Sequence, residues 1–309
     1  MTETSPLVSV IVPVHNGEKT VAAAIASVLS GSHENVQIVV CDDASTDRTA
    51  DLVQDINDSR ITLLRNSDNI GPGLSRDKAI DASDGKWLTF LDADDAWTPR
   101  RLANLLGASR DDHAVMVFDD IMLCHQNSEG MKPWQRVYGA HAFGARNGDA
   151  IDVPPALWAA SSQFVMQPLI HTATIRANGV RHSGRRFQED TEFFLRLISA
   201  GMKLRYVPSA DYLYRITPGS LSSADRPGAR TREMLEETLS LFVNDREMRS
   251  VLKKKITYRY FTAALRSGNV RKAVRYAGVD PGFMAEFAWR TLEVVRYHVS
   301  RIAHGAPKR

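Results

Sequence analysis

Residues 87–97 read WLTFLDADDAW. The first five are apolar except for one threonine and rich in aromatic and branched side chains, the pattern of a strand buried on both faces of a parallel sheet. That run stops at Asp92-Ala93-Asp94-Asp95. Three carboxylates within four residues at the end of a core strand repel one another and lose hydration unless a cation or a donor-rich ligand neutralises them. Asp-x-Asp offers hard oxygens suited to Mg²⁺ or Mn²⁺, ions that keep positions open for substrate phosphates. The competing reading is an acidic loop that caps a helix starting at Pro99. Its place after a core strand favours the ion, because open α/β sheets bind ligands outside the carboxyl ends of their strands.

The same arrangement recurs along the chain. Residues 7–14 (LVSVIVPV), 36–41 (VQIVVC), 61–64 and 114–118 predict further buried strands, the second ending in Asp42-Asp43 and the last running into Asp119-Asp120. Between them, helices are predicted over 18–30, where Val21, Ile25, Val28 and Leu29 share a face, from Ser45-Thr46-Asp47 to about residue 57, and over 74–82 and 99–107. This alternation specifies a parallel, right-handed, doubly wound sheet. No GxGxxG follows the first strand, and Gly71-Pro72-Gly73 follows the third, where it reads as a turn. Residues 125–162 mix Gly, Asn, Pro and aromatic side chains without a clear period, with short strands offered near Met122 and Val137; the stretch stays unassigned, its length and irregularity suggesting loops that shape a cleft. Pattern returns at 169–175. Arg185 to Asp190 then form a turn into a helix over 191–200, and 204–207 and 212–216 read as two strands. From Pro227 the chain is helical in pattern to about residue 303, with breaks at 267–269 and 280–282.

Charge divides the chain. Residues 1–225 carry 21 basic and 28 acidic side chains, a balance of −7, whereas residues 226–309 carry 18 and 8, a balance of +10. A domain over 1–225 is therefore expected to be followed by a basic helical extension over 226–309 that faces something anionic. A nucleic-acid module would interleave aromatic residues with Lys and Arg on an exposed sheet or groove. Here Lys253-Lys254-Lys255, Arg259, Arg266, Arg271-Lys272 and Arg275 keep helical spacing, with Ile256, Tyr260, Phe261, Ala264 and Leu265 on a different face. A solvated helix face and docking on a membrane surface both fit that pattern. Cys41 and Cys124 are too few for a disulfide scaffold and point to a reducing cytosol. The polar N-terminus and the lack of an apolar run of ~18 residues argue against a signal peptide and a spanning helix.

Three acidic clusters, Asp42/Asp43, Asp92/Asp94/Asp95 and Glu189/Asp190, fall at strand ends or loop–helix junctions, which converge on one crevice in a doubly wound sheet. A metal site, an acid able to bind a nucleoside and an acid able to act as a base together describe a transferase with a phosphate leaving group. For Glu189-Asp190 the structural alternative is a first-turn pair facing the helix dipole, and for Arg76 it is a solvated helix face. A nucleotidyltransferase would use similar parts but calls for a basic, Gly-rich phosphate loop after the first strand, where PVHNGEKT supplies only Lys19.

In order, VSVIVPVHNGEKTVAAAIASVL, VVCDDASTDRT, NIGPGLSRDKAI, WLTFLDADDAW and FQEDTEFFLRLISAG resemble the successive signatures of family-2 glycosyltransferases, over about residues 7–220. LYRITPGSLS at 213–222 is similar to the segment after the catalytic helix in bacterial exopolysaccharide and O-antigen enzymes. The resemblance implies a GT-A fold, a Rossmann-like, mostly parallel doubly wound sheet with a C-terminal helical extension. It implies that Pro13 and His15 line the base pocket, Asp43 reads the uracil edge of a UDP-sugar, and Asp92 faces the ribose or sugar. Asp94 would ligate the Mg²⁺ or Mn²⁺ that bridges both phosphates, and Arg76 would contact the donor. Asp190 would be the general base, with Glu189 and Gln188 capping the helix or binding the acceptor. His15 stands where Tyr is usual, and an imidazole stacks on a base over less area. The implied activity is inverting, metal-dependent transfer of a hexose, glucose in the first instance, to a polyprenyl-diphosphate-linked oligosaccharide in surface polysaccharide synthesis. Its expected location is the inner face of the cytoplasmic membrane, with membrane contact through 226–309 and no nucleic-acid partner.

Overall fold

The computed structural model describes residues 5–110, 112–127, 130–139, 141–146, 148–161, 166–216 and 229–277. The break read at 280–282, the helical pattern beyond residue 277 and the part of LYRITPGSLS after Ile216 lie outside the described residues. Packing divides the chain into two units, Met1–Trp158 with Phe164–Pro218, and Ala159–Gln163 with Gly219–Arg309.

The strands are β1 (Val8–Val14), β2 (Val36–Asp42), β3 (Ile61–Arg65), β4 (Trp87–Phe90), β5 (Ala96–Trp97), β6 (Val115–Asn127), β7 (Gly130–Arg136), β8 (Ile151–Val153), β9 (Leu169–His171) and β10 (Lys203–Ile216). The helices are α1 (Val21–Leu29), α2 (Thr49–Asp55), α3 (Pro72–Asp81), α4 (Arg101–Ser109), α5 (Pro155–Ala160), α6 (Thr172–Asn178), α7 (Glu189–Ser199), α8 (Ala229–Thr238), α9 (Arg246–Arg266) and α10 (Val270–Ala277).

In the first unit β1 to β4 pair in parallel in the order β3-β2-β1-β4. All of β1 is buried, which is why its sequence is apolar without alternation. Val8, Val10 and Val12 pack with Val21, Ala24, Ile25 and Val28 of α1 in the main core. β1 and β2 end level, Val14 beside Asp42, so their polar continuations open at the same edge. Past β4 the sheet becomes mixed: β9 is antiparallel to β4 and β6, β6 and β10 are parallel, and β5, β7 and β8 add antiparallel edges.

Three expectations change. The unpatterned stretch after residue 125 contains a hairpin, in which β6 continues to Asn127 and returns as β7, with Trp134 stacked on His125 at 5.3 Å. The two strands read at 204–207 and 212–216 are one strand, β10, whose pairing with β6 shifts between Val207 and Tyr212, next to Pro208, which has no N–H to donate. The stretch at 169–175 is a short strand followed by α6, which starts where the Thr172 N–H donates to Lys86 O at 3.0 Å and its hydroxyl to Gly85 O at 2.7 Å.

In the second unit Asp245 caps α9 by accepting from Met248 N at 2.9 Å, and the break read at 267–269 separates α9 from α10. No helix among the described residues is long and apolar enough to cross a membrane.

Gly85 precedes β4 where its backbone meets β1. A Cβ there would lie 2.5 Å from Ser9 N and 2.7 Å from Trp87 O. Gly85→Ala is expected to lower the unfolding free energy by about 1–3 kcal/mol, the range for overpacking. Gly107, exposed on α4 with nothing within 4 Å of a Cβ, is the control, and Gly107→Ala should raise stability by ~0.5–1 kcal/mol. Urea titrations of the two variants should therefore move in opposite directions, and coincident midpoints would contradict the packing described.

Candidate active site

The site begins where β4 ends. Leu91 N still donates to Ile11 O at 3.0 Å, and Asp95 N then donates to Asp92 O at 3.0 Å, closing the acidic run into a turn. Its three carboxylates meet different surroundings. Asp92 accepts from Arg76 Nη2 at 2.7 Å and from Gln167 Nε2 at 3.3 Å. Asp95 is buried, accepting from the Tyr212 hydroxyl at 2.7 Å and from Arg215 N at 2.8 Å. Burial, then the charges of Asp94 and Asp92, holds Asp95 well above the usual carboxylate range. Tyr212 also accepts from Asp92 N at 3.2 Å, so one hydroxyl joins both ends of the turn. Asp94 has no side-chain donor among the described residues. Burial, then the neighbouring Asp92, pushes it up to about 6. An open, hard-oxygen acceptor whose charge is disfavoured until a cation arrives suits a divalent ion. Among the described residues no three His, Cys, Asp or Glu side chains are grouped to hold an ion by themselves. The donor set thus fits an ion shared with ligand phosphates better than an all-protein cage.

Arg76 is neither a solvated helix-face residue nor open to a ligand on both prongs. It is 5% exposed and its guanidinium bridges Asp92 and, at 2.6 Å, Glu189 Oε1. Burial opposes its charge, but Asp92, Glu189 and Asp190 outweigh that and keep it protonated. The bridge needs α3 and the start of α7 close together. Gly73 allows it, for a Cβ there would lie 3.0 Å from His182 Cβ and 3.2 Å from Glu189 Cγ. The loop leading into α7 is fastened to α3 as well. Asp77 accepts from His182 N at 3.0 Å and lies 2.7 Å from its Nδ1, and the His182 ring stacks on Phe193 at 4.2 Å. Arg186 donates to Asn69 Oδ1 and Asn69 O, each at 2.7 Å. Burial holds His182 below its ordinary value, so it stays neutral at pH 7.

At the head of α7, Gln188 adopts a left-handed backbone (φ 58°) and its buried Oε1 has no hydrogen-bond partner among the described residues. Glu189 is committed to Arg76. Asp190 accepts from Thr191 N at 2.6 Å through Oδ1, while no described residue donates to its Oδ2. Burial, then Glu189, raises Asp190 to about 7, with Arg76 pulling the other way.

The residues expected from the sequence to meet a nucleoside lie at the ends of β1 and β2. Pro13 is buried in β1 beside Cys41, and His15 is exposed with Nδ1 2.8 Å from Asp43 O. Asp43 accepts from Asn66 Nδ2 at 2.9 Å, Ile70 N at 2.9 Å and Gly71 N at 2.8 Å. Burial works against its charge, but these donors and Ser75 prevail and hold it below the usual range. Asp43 therefore anchors the loop before α3. Arg76, Asp92 and Glu189 are joined directly, with Asp94 and Asp190 on either side. Sequence reading missed Tyr212, Gln167 and Arg215, the last donating from Nε to Asp94 O at 2.5 Å. Their only signal was that Tyr212 directly precedes the LYR segment and Arg215 is its last residue.

Comparison with known proteins identifies the family and the fold. WfaP of Escherichia coli, a UDP-Glc:alpha-D-GlcNAc-diphosphoundecaprenol beta-1,3-glucosyltransferase, is 27% identical over 219 residues, 70% of this chain and 80% of its own. The succinoglycan biosynthesis protein ExoO of Rhizobium meliloti is 28% identical over 70% of this chain and 63% of its own. The crystal structure of S. aureus TarS 1-349 in complex with UDP-GlcNAc superposes with a TM-score of 0.66 at 18% identity, covering 98% of this chain and 93% of that 1-349 chain, which establishes the GT-A fold. Residues 9–166 match the family model for glycosyl transferase family 2, and this chain belongs to that family.

Proposed function

We propose that this protein transfers a hexose, with inversion, from a UDP-sugar to a hydroxyl of a lipid-diphosphate-linked glycan. The observation that carries the reading is the pairing of an open carboxylate at the end of β4, Asp94, with a second open carboxylate oxygen, Asp190 Oδ2, across the Arg76 bridge. In this reading His15 stacks on the uracil and Asp43 holds the base-side loop, with Pro13 beneath. Asp92, fixed by Arg76 and Gln167, accepts from a ribose or sugar hydroxyl through its exposed edge. An acceptor hydroxyl is a poor nucleophile until a base takes its proton. Its oxygen attacks the anomeric carbon, the bond from that carbon to the diphosphate oxygen breaks, UDP leaves with the electron pair, and the proton passes to Asp190. A single displacement inverts the centre. Mg²⁺ or Mn²⁺ held by Asp94 and the two phosphates would stabilise the charge that develops on UDP. The names of WfaP and of WfgD of Escherichia coli, both UDP-Glc-dependent glucosyltransferases on GlcNAc-diphosphoundecaprenol, support glucose and a lipid-linked acceptor.

Two variants test the assignments. Asp94→Ala is expected to abolish Mn²⁺-dependent UDP binding in calorimetry while circular dichroism stays unchanged; undiminished affinity would remove the metal role. Asp190→Asn is expected to lower turnover by about two to four orders of magnitude with UDP affinity nearly unchanged. A base acts deprotonated, so with Asp190 at about 7 the wild-type kcat/KM should fall tenfold per unit as pH drops below 7. A flat profile from pH 5 to 8 would assign the proton to another group.

The basic extension fits peripheral attachment at the cytoplasmic leaflet. In α10 Arg271, Lys272 and Arg275 are exposed, and Val274 is 65% exposed. Each basic side chain near an anionic surface contributes ~1 kcal/mol, so three or four give reversible binding. Co-sedimentation with anionic vesicles should be strong at low salt and fade as ionic strength rises. Equal recovery in the supernatant with neutral and anionic vesicles would leave these helices as a solvated face.

A further inference from the structure

We propose that Arg76 is a positioning residue that divides the work of the adjacent acids: it locks Glu189 against Asp92 and so leaves Asp190 as the one carboxylate of the pair free to receive a proton. This deepens the functional reading above and rests on it. Three elements converge on the guanidinium, α3 carrying Arg76, the first turn of α7 carrying Glu189, and the turn after β4 carrying Asp92. The two prongs, at 2.6 and 2.7 Å, take one oxygen from each acid, and Gly73 presses against the Glu189 stem, so Glu189 is held where it lies. Asp190, one residue on, has no ion pair among the described residues and accepts only from Thr191, whose N–H and hydroxyl reach Oδ1 at 2.6 and 3.4 Å.

The charged groups that face Asp190 are Glu189 on its own helix, Arg76 from α3 and Asp92 from the β4 turn. His182, which sits behind Arg76 and Glu189, is neutral. Removing the Arg76 charge leaves Asp190 facing two carboxylates and no cation. Removing the Glu189 charge leaves it facing one carboxylate and a cation with a vacant prong. The two changes must therefore move the proton affinity of Asp190 in opposite directions. Lysine at 76 keeps the charge but cannot make the two-pronged bridge.

Full-length protein labelled at aspartate Cγ allows the ionisation of Asp190 to be followed by NMR, its resonance identified as the one lost in Asp190→Asn. Arg76→Gln should raise the titration midpoint by about one unit or more, the usual effect of losing an opposite charge at this range. Glu189→Gln should lower it, and Arg76→Lys should leave it within a few tenths of wild type. Midpoints of Arg76→Gln and Glu189→Gln that do not move, or that move in the same direction, overturn the proposal, as does an Arg76→Lys midpoint shifted as far as that of Arg76→Gln. Should Arg76→Gln fail to fold by circular dichroism, Glu189→Gln decides alone, an unmoved or raised midpoint being the refuting result. The readout is ionisation, not turnover. A wrong base assignment would instead appear as normal turnover in Asp190→Asn with these shifts intact.

Discussion

A single buried guanidinium balances the acids at the open edge of this sheet. Carboxylates at the ends of core strands lose their water, and without partners they would protonate or push the strands apart. Arg76 answers for two of them, Asp92 and Glu189, and its own burial is tolerable only because both are present. A buried pair of this kind adds little net stability, but taking away one member strands the others as uncompensated charge. The bridge also fixes distance, because α3 and α7 can share a guanidinium only while Gly73 lets their backbones approach.

Following each acid to its partners separates the structural from the chemical. Asp42 is met by Arg65 and Ser45 N, Asp43 by Asn66 and two backbone amides, and Asp95 by Tyr212 and Arg215 N. Asp119 is held by Arg101, which also stacks on the rings of Trp97 and Tyr212, and Asp120 accepts from Tyr138 N and Gly139 N. Against that background a half-exposed acid at the same edge with no cationic partner is available to a ligand. Among the described residues Asp94 accepts from no side chain and Asp190 only from Thr191, whereas their neighbours Asp92 and Glu189 are both paired with the Arg76 cation.

The parallel half of the sheet was legible because strands covered on both faces are almost continuously apolar, and each of β1, β2 and β4 ends within a residue of where its apolar run meets a polar one. The acids themselves were equally visible. Their roles were not, for the partners come from far along the chain: Arg76 reaches Glu189 across 113 residues, and Tyr212 reaches Asp95 across 117. Periodicity also failed on the antiparallel side. Most of β7 is only partly buried and carries no alternation to read, and β10 hides a register shift inside a single strand.

The sequence DADD shows why composition cannot assign such roles. Asp92 and Asp94 are two residues apart in one turn, yet the first is neutralised by Arg76 and the second is not. Asp95 follows directly and serves neither purpose. It turns inward to Tyr212, whose hydroxyl in turn holds Asp92 N, so the third acid fixes the turn from which the other two project. Reading all three as ligands would predict an all-protein cage for a cation. With Asp94 alone open on that side, an ion in the proposed reading would have too few protein oxygens to be held without phosphates, which would couple metal and nucleotide affinity. Such coupling, a part of the function proposed above, would follow from the partners of Asp92 and Asp95, not from the number of acids in the run.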